Sequence, residues 1–255
     1  MSSVRRIWVL TLFPEFFDPL LNCGVVGQAL RGERSQKIEL KTLNPRDFTP
    51  NNYKGVDDAP YGGGPGMVMR ADILKNALME GVVKAGCYDS KNYRNQLKVI
   101  YTAPRGEVWN QTTCVSFAQR MWGGEQPQDL VFICGRYEGI DERFIQNDVD
   151  EIFSLGDFVL SGGEIAVMSM LDSALRFMPG VLGNKLSSAE DSFSNGLLEH
   201  PQYTRPASYE GLEVPKVLLS GHHEKIQKYQ RQKAEEMTQQ KRPDLWPKYQ
   251  QKVKK

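Results

Sequence analysis

The segment LKVIYTAPRG, residues 97–106, begins with a mainly apolar run and ends with a proline and a glycine. This pattern predicts a buried strand over 97–103 that is closed by a turn. Helical spacing follows over 110–122, and the run LVFIC at 130–134, which ends at Gly135, predicts a second strand. Alternating strands and helices of this kind indicate a layered α/β fold with a mainly parallel sheet.

The same alternation extends to both sides of this segment. Further strands are predicted at 4–13, 37–43, 151–155 and 158–160, and helices at 71–84, 141–146 and 165–177, besides one that Pro14 opens. Residues 44–59 are predicted to be irregular. After Pro179 a small, polar stretch at 183–188 is typical of a linker, and from about 192 onward only helical or loop patterns occur, most clearly over 224–239. We therefore predict a first domain over 1–182, a linker over 183–195 and a helical domain over 196–255.

Composition limits the classes of protein. The hydrophobic share of 40% and the charged share of 25% are those of an ordinary globular protein. The sequence has neither the apolar core of a signal peptide nor an apolar run of membrane-spanning length, so we expect a cytoplasmic protein that does not enter a membrane. The four cysteines are widely spaced, which argues against a disulfide framework or a structural zinc site.

Charge is distributed unevenly along the chain. Residues 222–255 contain ten Lys/Arg and four Asp/Glu, which leaves 22 and 27 for the rest of the totals of 32 and 31. A basic tail on an acidic body fits a polyanionic partner such as nucleic acid. A solvated helix face explains the tail equally well on this observation alone.

Glycine-bearing turns follow several predicted strands, at 102–106, 135, 155–156 and 160–163. Ligands bind outside the carboxyl ends of parallel strands, where glycine lets the backbone come close to them. These turns favour a cofactor cleft. The sequence contains no Walker motif, no G-x-G-x-x-G and no G-x-S-x-G, so the usual nucleotide, dinucleotide and hydrolase sites are not supported.

The remaining candidates have ordinary structural explanations beside the functional ones. The glycines of YGGGPGM, residues 61–67, suit a tight loop or the close approach of a planar ligand. Asp191 could cap the helix that opens at Ser192, and Arg176 could complement the dipole at the end of the 165–177 helix. Up to this point the residues define an enzyme-like α/β domain with a cleft and a basic helical appendage, but no reaction.

Several blocks together resemble one family, the bacterial tRNA (guanine-N1)-methyltransferases. The resemblance runs in order from LFP (12–14) to VLLSG (217–221) and so covers nearly the whole chain. Its blocks are PRDF (45–48), YGGGPGM (61–67), CGRYEGID (134–141), GDFVLSGGE (156–164), 176–183, EDSF (190–193) and YTRP (203–206).

The resemblance implies a SPOUT-type parallel α/β sheet with a deep trefoil knot, a small all-helical C-terminal domain that binds tRNA, and a homodimer with shared active sites. It implies that the protein methylates N1 of the guanosine at tRNA position 37 and that Mg²⁺ assists. Asp191 would be the general base and Arg176 its electrostatic partner, while Gly66 and Glu138 would contact the RNA. S-adenosylmethionine would be held by Tyr101, Thr102, Ala103, Pro104, Gly135, Ser154, Leu155, Gly156, Phe158, Leu160, Gly162 and Gly163.

These residue types suit the implied reaction. Guanine N1 carries a proton and becomes nucleophilic when a carboxylate removes it. The negative charge that then builds on the exocyclic oxygen can be stabilised by a guanidinium or a metal ion.

The sequence also departs from the family pattern. Phe158 stands where tyrosine is usual, Thr102-Ala103 replaces Leu-Ser, and the segments near 86–96 and 123–128 are longer and expected on the surface. Three alternatives remain: a relative with another RNA target or methylated atom, a non-catalytic RNA-binding protein, and an enzyme acting on small nucleotides.

Overall fold

The computed structural model describes residues 5–34, 38–50, 55–122, 128–182 and 192–253. Internal contacts divide the chain into two compact units, Met1–Gly183 and Asn184–Lys255.

A five-stranded sheet forms the centre of the first unit, and all of its strand pairs are parallel. Its order is β2-β1-β6-β5-β7, so the prediction of a parallel α/β sheet is confirmed. The two short strands β3 and β4 form a separate antiparallel pair. The strands are β1 (Arg5–Leu10), β2 (Ile38–Leu43), β3 (Asp57–Asp58), β4 (Val68–Met69), β5 (Leu97–Val108), β6 (Asp129–Cys134) and β7 (Glu151–Ser154).

Helices cover both faces of this sheet because side chains alternate along each strand. The helices are α1 (Asp18–Asn22), α2 (Gly24–Leu30), α3 (Ala71–Asn76), α4 (Gln111–Trp122), α5 (Glu142–Asp148) and α6 (Glu164–Leu175). On β6, Leu130 and Phe132 pack with α2, α4 and α6, whereas Val131 and Ile133 pack with α3 and α5 on the opposite face.

Some elements differ from the prediction. Residues 158–160 form no strand, because this segment leaves the sheet and Phe158 and Val159 are exposed. The predicted helix at 71–84 is α-helical only over α3 and continues as a π-helix over Ala77–Lys84. The stretch predicted to be irregular contains the short 3₁₀ helix Pro45–Phe48, which Asn44 caps by accepting from Arg46 N.

Most of the longer segment at 86–96 is exposed, as predicted, but Tyr88 and Tyr93 attach it to the rest of the unit. Trp8 Nε1 donates to Tyr88 Oη at 3.0 Å, and Tyr88 Oη donates to Asp129 Oδ2 at 2.5 Å. Burial, together with the hydrogen bond to Asp129, raises the pKa of Tyr88 to about 12. Tyr93 is buried beside Asp148. Residues 123–127 lie outside the described residues.

The second unit has its own small core of Leu197, Ala234 and Tyr249, with Trp246 packed against it. Its helices are α7 (His223–Lys241) and α8 (Trp246–Val253), and a 3₁₀ helix covers Lys216–Leu219.

The expectation of an all-helical C-terminal domain is wrong in one respect. The short strands β8 (Ser208–Tyr209) and β9 (Leu212–Glu213) form an antiparallel hairpin. The two residues between them, Glu210 and Gly211, have φ values of 50° and 81°, which is the backbone of a two-residue type I′ turn. Within the described ranges, no helix is long and apolar enough to cross a membrane.

Candidate functional site

The carboxyl ends of β5, β6 and β7 meet at an open cavity of about 220 Å³. Small-molecule sites in parallel sheets lie at this end of the strands. All of the residues expected to hold the methyl donor line this cavity except Gly156, and Glu138 lines it as well. The lining set contains Tyr101, Thr102, Ala103, Pro104, Gly135, Ser154, Leu155, Phe158, Leu160, Gly162 and Gly163. The sequence therefore predicted a set of residues that the fold brings together.

Close backbone packing joins the strand ends. Gly163 N donates to Gly135 O at 3.0 Å, and Thr102 Oγ1 donates to Gly163 O at 3.4 Å. A Cβ at Gly163 would lie 2.5 Å from Thr102 Oγ1 and 2.8 Å from Cys134 Cα. At Gly135 a Cβ would lie 2.9 Å from the Tyr101 ring. Backbone contact therefore requires glycine at 163, and a side chain at 135 would have to displace the ring of Tyr101.

Strand β5 leaves the sheet and returns to it at the cleft. Thr102 pairs with Phe153, and then Glu107 pairs with the same residue, so 103–106 project as a bulge. Gly106 closes the bulge, because a Cβ there would lie 2.5 Å from Phe153 N. The wall formed by Ala103 and Pro104 is thus held at both ends by the sheet.

The loop after β7 forms the opposite wall. Ser154 is buried, and its Oγ donates to Gly156 O at 3.1 Å. Gly156 has φ of 152°, a value that other residues rarely adopt, and it shapes the loop without lining the cavity. Phe158 is 55% exposed and faces the cavity with its ring. The side of the cleft formed by Phe158 is therefore apolar and open to solvent.

Glu138 and Gly66, the two residues predicted to contact RNA, lie side by side. Glu138 N donates to Met67 O at 3.0 Å, and Met69 N donates to Gly139 O at 3.0 Å. A Cβ at Gly66 would lie 2.6 Å from Glu138 Oε1. The glycine-rich loop is therefore docked beside the cleft, and Tyr61 at its start is 99% exposed.

The two residues predicted to be catalytic differ in what the structure describes. Asp191 lies outside the described residues, and Arg176 does not line the cleft. Arg176 is exposed and caps the carboxyl end of α6, whose amino end at Glu164 adjoins the cleft. At about 1.5 Å per residue, the Cα atoms of Glu164 and Arg176 are about 18 Å apart along the axis.

The wall of the cleft also contains a charge pair that the sequence does not predict. Glu164 is buried, and Arg136, which lines the cleft, lies within 3.0 Å of it. Burial, and to a lesser degree the charge of Glu164, raises the pKa of the neighbouring Cys134 thiol well above its usual value, while Arg136 opposes the shift. Both residues belong to blocks that were recognised, CGRYEGID and GDFVLSGGE, but nothing in the sequence pairs them.

The described residues give no support to a metal site held by the protein. Within 5–34, 38–50, 55–122, 128–182 and 192–253, no three His, Cys, Asp or Glu side chains group closely enough to bind an ion.

The fold and the cleft define a parallel α/β protein with an open cavity at the carboxyl ends of its strands, where such folds bind small molecules. Residues 5–248 match the sequence model of the family described as tRNA (Guanine-1)-methyltransferase TrmD. The chain therefore belongs to this family of methyltransferases.

Individual relatives agree with the family match. The chain is 47% identical over 244 residues to a tRNA (guanine-N(1)-)-methyltransferase of Buchnera aphidicola, covering 94% of this chain and 85% of the relative. A protein of the same description from Shewanella amazonensis is 46% identical, with 93% and 88% covered. One from Haemophilus influenzae is 45% identical, with 94% and 90% covered.

Proposed function

We propose that this chain transfers the methyl group of S-adenosylmethionine to N1 of the guanosine at tRNA position 37, immediately 3′ to the anticodon. Family membership supports the class of reaction and the tRNA substrate. The cleft is the observation that carries the choice of donor, because it gathers nearly every residue expected to bind it.

The chemistry of the cleft suits an adenosyl ligand. Leu155, Phe158 and Leu160 offer apolar contacts, and the hydroxyls of Thr102 and Ser154 are polar groups set among them. Glycines in the wall allow main-chain amides to approach the ligand. A cavity that combines apolar side chains with convergent polar groups is typical of small-molecule sites. The donor supplies a methyl group that its sulfonium already activates, so the protein's task is to align it with guanine N1.

Asp191 is the proposed general base, and Arg176 its electrostatic partner. The carboxylate takes the proton from guanine N1, and a general base of this kind contributes about 10²–10⁴-fold to the rate. The guanidinium keeps the carboxylate ionised and opposes the negative charge that develops on the guanine oxygen. The support for both roles comes from the intact EDSF block and the family assignment.

We also propose a homodimer with shared active sites, as the resemblance implies, and the position of Arg176 supports it. A residue about 18 Å from the cleft along its own helix can reach a cleft more readily if that cleft belongs to a second subunit. An exposed apolar surface supports this proposal. It contains Phe13, Phe16 and Ile165, each more than one-third exposed. The 3₁₀ helix Pro14–Phe17 packs against α6, so these side chains belong to one region. Exposed apolar side chains that lie together are typical of association surfaces.

The other expectations from the resemblance belong to the same proposal. Gly66 and Glu138 contact the RNA, the linker spans 183–195, and the domain over 196–255 binds tRNA with its basic tail. The parallel sheet carries a deep trefoil knot, and the protein works in the cytoplasm. Mg²⁺ assists the reaction, and among the described residues no three His, Cys, Asp or Glu side chains form a group that would hold it.

Methyl transfer from labelled S-adenosylmethionine to two tRNAs, with guanosine or adenosine at position 37, tests the reaction. We expect transfer to the guanosine tRNA only. Asp191→Asn should reduce it by at least about 10²-fold, whereas Asp18→Asn, a change at an exposed carboxylate in the first turn of α1, should leave it unchanged. A folded protein that binds tRNA but transfers no methyl group would instead be a non-catalytic RNA-binding relative.

A further inference from the structure

The wall behind the cleft contains a buried ion pair that the proposed mechanism does not use. Glu164, the first residue of α6, is 0% exposed, and its Oε2 lies 3.0 Å from Arg136 Nη2. Arg136 Nε donates to Glu164 Oε1 at 3.2 Å. The side chain of Arg136 is 14% exposed, on the side where it lines the cleft. A cation therefore forms part of the surface that faces the ligand, and its counter-ion lies behind it.

The pair is held from several directions. Thr11 Oγ1 donates to Glu164 Oε1 at 2.7 Å. Arg136 Nη1 donates to Ser161 O at 3.1 Å, and the guanidinium lies 4.4 Å from the ring centroid of Phe13 and 5.5 Å from that of Phe16. The guanidinium thus joins the start of the chain to the loop after β7.

The cleft loop packs directly on this pair. A Cβ at Gly162 would lie 2.3 Å from Arg136 Nε and 2.5 Å from Glu164 Oε2. Glu164 Oε2 forms no hydrogen bond within the described part of the chain, so its contact with Arg136 is one of charge rather than of directed bonding. The guanidinium of Arg136 thus contacts the loop, and the carboxylate of Glu164 beside it neutralises its charge.

We propose that Glu164 determines specificity for a cationic ligand by neutralising Arg136. The inference rests on the proposed donor, whose sulfonium carries a positive charge that its product, S-adenosylhomocysteine, lacks. An uncompensated guanidinium in a partly buried wall would repel the sulfonium, because charges in such places are weakly screened. Arg136 cannot simply be omitted, since it positions the carbonyl of Ser161. Glu164 acts through Arg136 and contacts no reacting atom.

Calorimetric titration of the full chain with S-adenosylmethionine and with S-adenosylhomocysteine tests this role through the ratio of the two affinities. Glu164→Gln keeps the shape and removes the charge, so the affinity for S-adenosylmethionine should fall roughly three- to tenfold further than that for S-adenosylhomocysteine. Arg136→Gln removes the cation and should leave the ratio unchanged or shift it toward S-adenosylmethionine. The double variant should restore the wild-type ratio.

Asp148→Asn is the matched control. Asp148 is also a buried carboxylate, which accepts from Tyr93 Oη at 3.1 Å and pairs with Lys75, but it lies at the carboxyl end of α5 and does not line the cleft. It should lower the melting temperature without changing the affinity ratio. Thermal unfolding of every variant separates loss of structure from loss of charge. If Glu164→Gln does not fold, Arg136→Gln and the double variant carry the test.

Equal losses for both ligands in Glu164→Gln, or a fall in the ratio for Arg136→Gln, would overturn the inference and leave the pair a purely structural role. Failure of the wild-type protein to bind either ligand is a different result, because it would refute the proposed donor itself.

Discussion

Replacing Gly163 by alanine tests how closely the three strand ends are packed. The added Cβ would lie 2.5 Å from Thr102 Oγ1, 2.8 Å from Cys134 Cα and 3.1 Å from Gly135 N. The φ of Gly163 is −77°, which any residue adopts, so the cost comes from overlap alone. Cys134 Cα belongs to β6 and cannot rotate away, so α6 must move from the sheet. Overpacking of this kind costs about 1–3 kcal/mol.

Two measurements follow from this displacement. At about 2–4 °C per kcal/mol for a domain of this size, the melting temperature should fall by roughly 2–12 °C in scanning calorimetry. The displacement of α6 also shifts one wall of the cleft relative to the other. Single-turnover methyl transfer should therefore slow by up to about 10²-fold.

The control for Gly163→Ala is Ser116→Ala, a change on the exposed side of α4 that does not line the cleft. It should alter neither the melting temperature nor the rate. A Gly163→Ala protein with the wild-type melting temperature and wild-type turnover would show that the strand ends are less tightly packed than these distances require.

Three further changes have defined outcomes. Tyr88→Phe should destabilise the first unit by about 1 kcal/mol in urea unfolding, because it removes the part-buried hydrogen bonds of Tyr88 Oη with Trp8 Nε1 and Asp129 Oδ2; an unchanged midpoint would contradict the described contact. Burial raises the pKa of Glu151, but the charges of Arg120 and Lys98 outweigh burial and lower the pKa from its ordinary value of 4.5. The ionised carboxylate therefore stabilises the protein above that pH, and this stabilisation is lost as the pH falls through the lowered pKa. In Glu151→Gln the free energy of unfolding should depend less on pH in this range. Gly211→Ala should cost about 1 kcal/mol in the second unit, since Gly211 has φ of 81°, and an unchanged melting curve would refute the turn.

Much of the first unit could be predicted from the sequence because its signals are local. The runs at 97–103 and 130–134 lie within β5 and β6, and helical spacing at 110–122 corresponds to Gln111–Trp122. The glycine turns predicted a cleft because parallel strands bring their carboxyl ends to one edge. The residues that line it followed from the resemblance, and the structure gathers nearly all of them.

Other features could not be predicted because they depend on distant partners. The run at 158–160 resembles a strand, but it belongs to the loop after β7, where Phe158 and Val159 are exposed and pair with no strand of the sheet. Thr11, Arg136 and Glu164 are far apart in sequence and meet only when β1, β6 and α6 are assembled. The hairpin at 208–213 consists of two-residue strands, which are too short to give a period. Arg176 and Asp191 were placed by resemblance alone.

The bulge at 103–106 in β5 also determines when the cleft can form during folding. The last residues of β5, Glu107 and Val108, pair with Phe153 and Ser154, which arrive only after β6 and α5 have been made. Contacts between segments so far apart in the chain form late, since the entropy of closing the loop is lost before they are gained. Until then, residues 103–106 are anchored at one end. A nascent chain that stops short of β7 therefore has part of the sheet but no finished cleft. The cleft is complete only when Phe153 has packed against Gly106 and the loop after β7, up to Gly163, has formed the opposite wall.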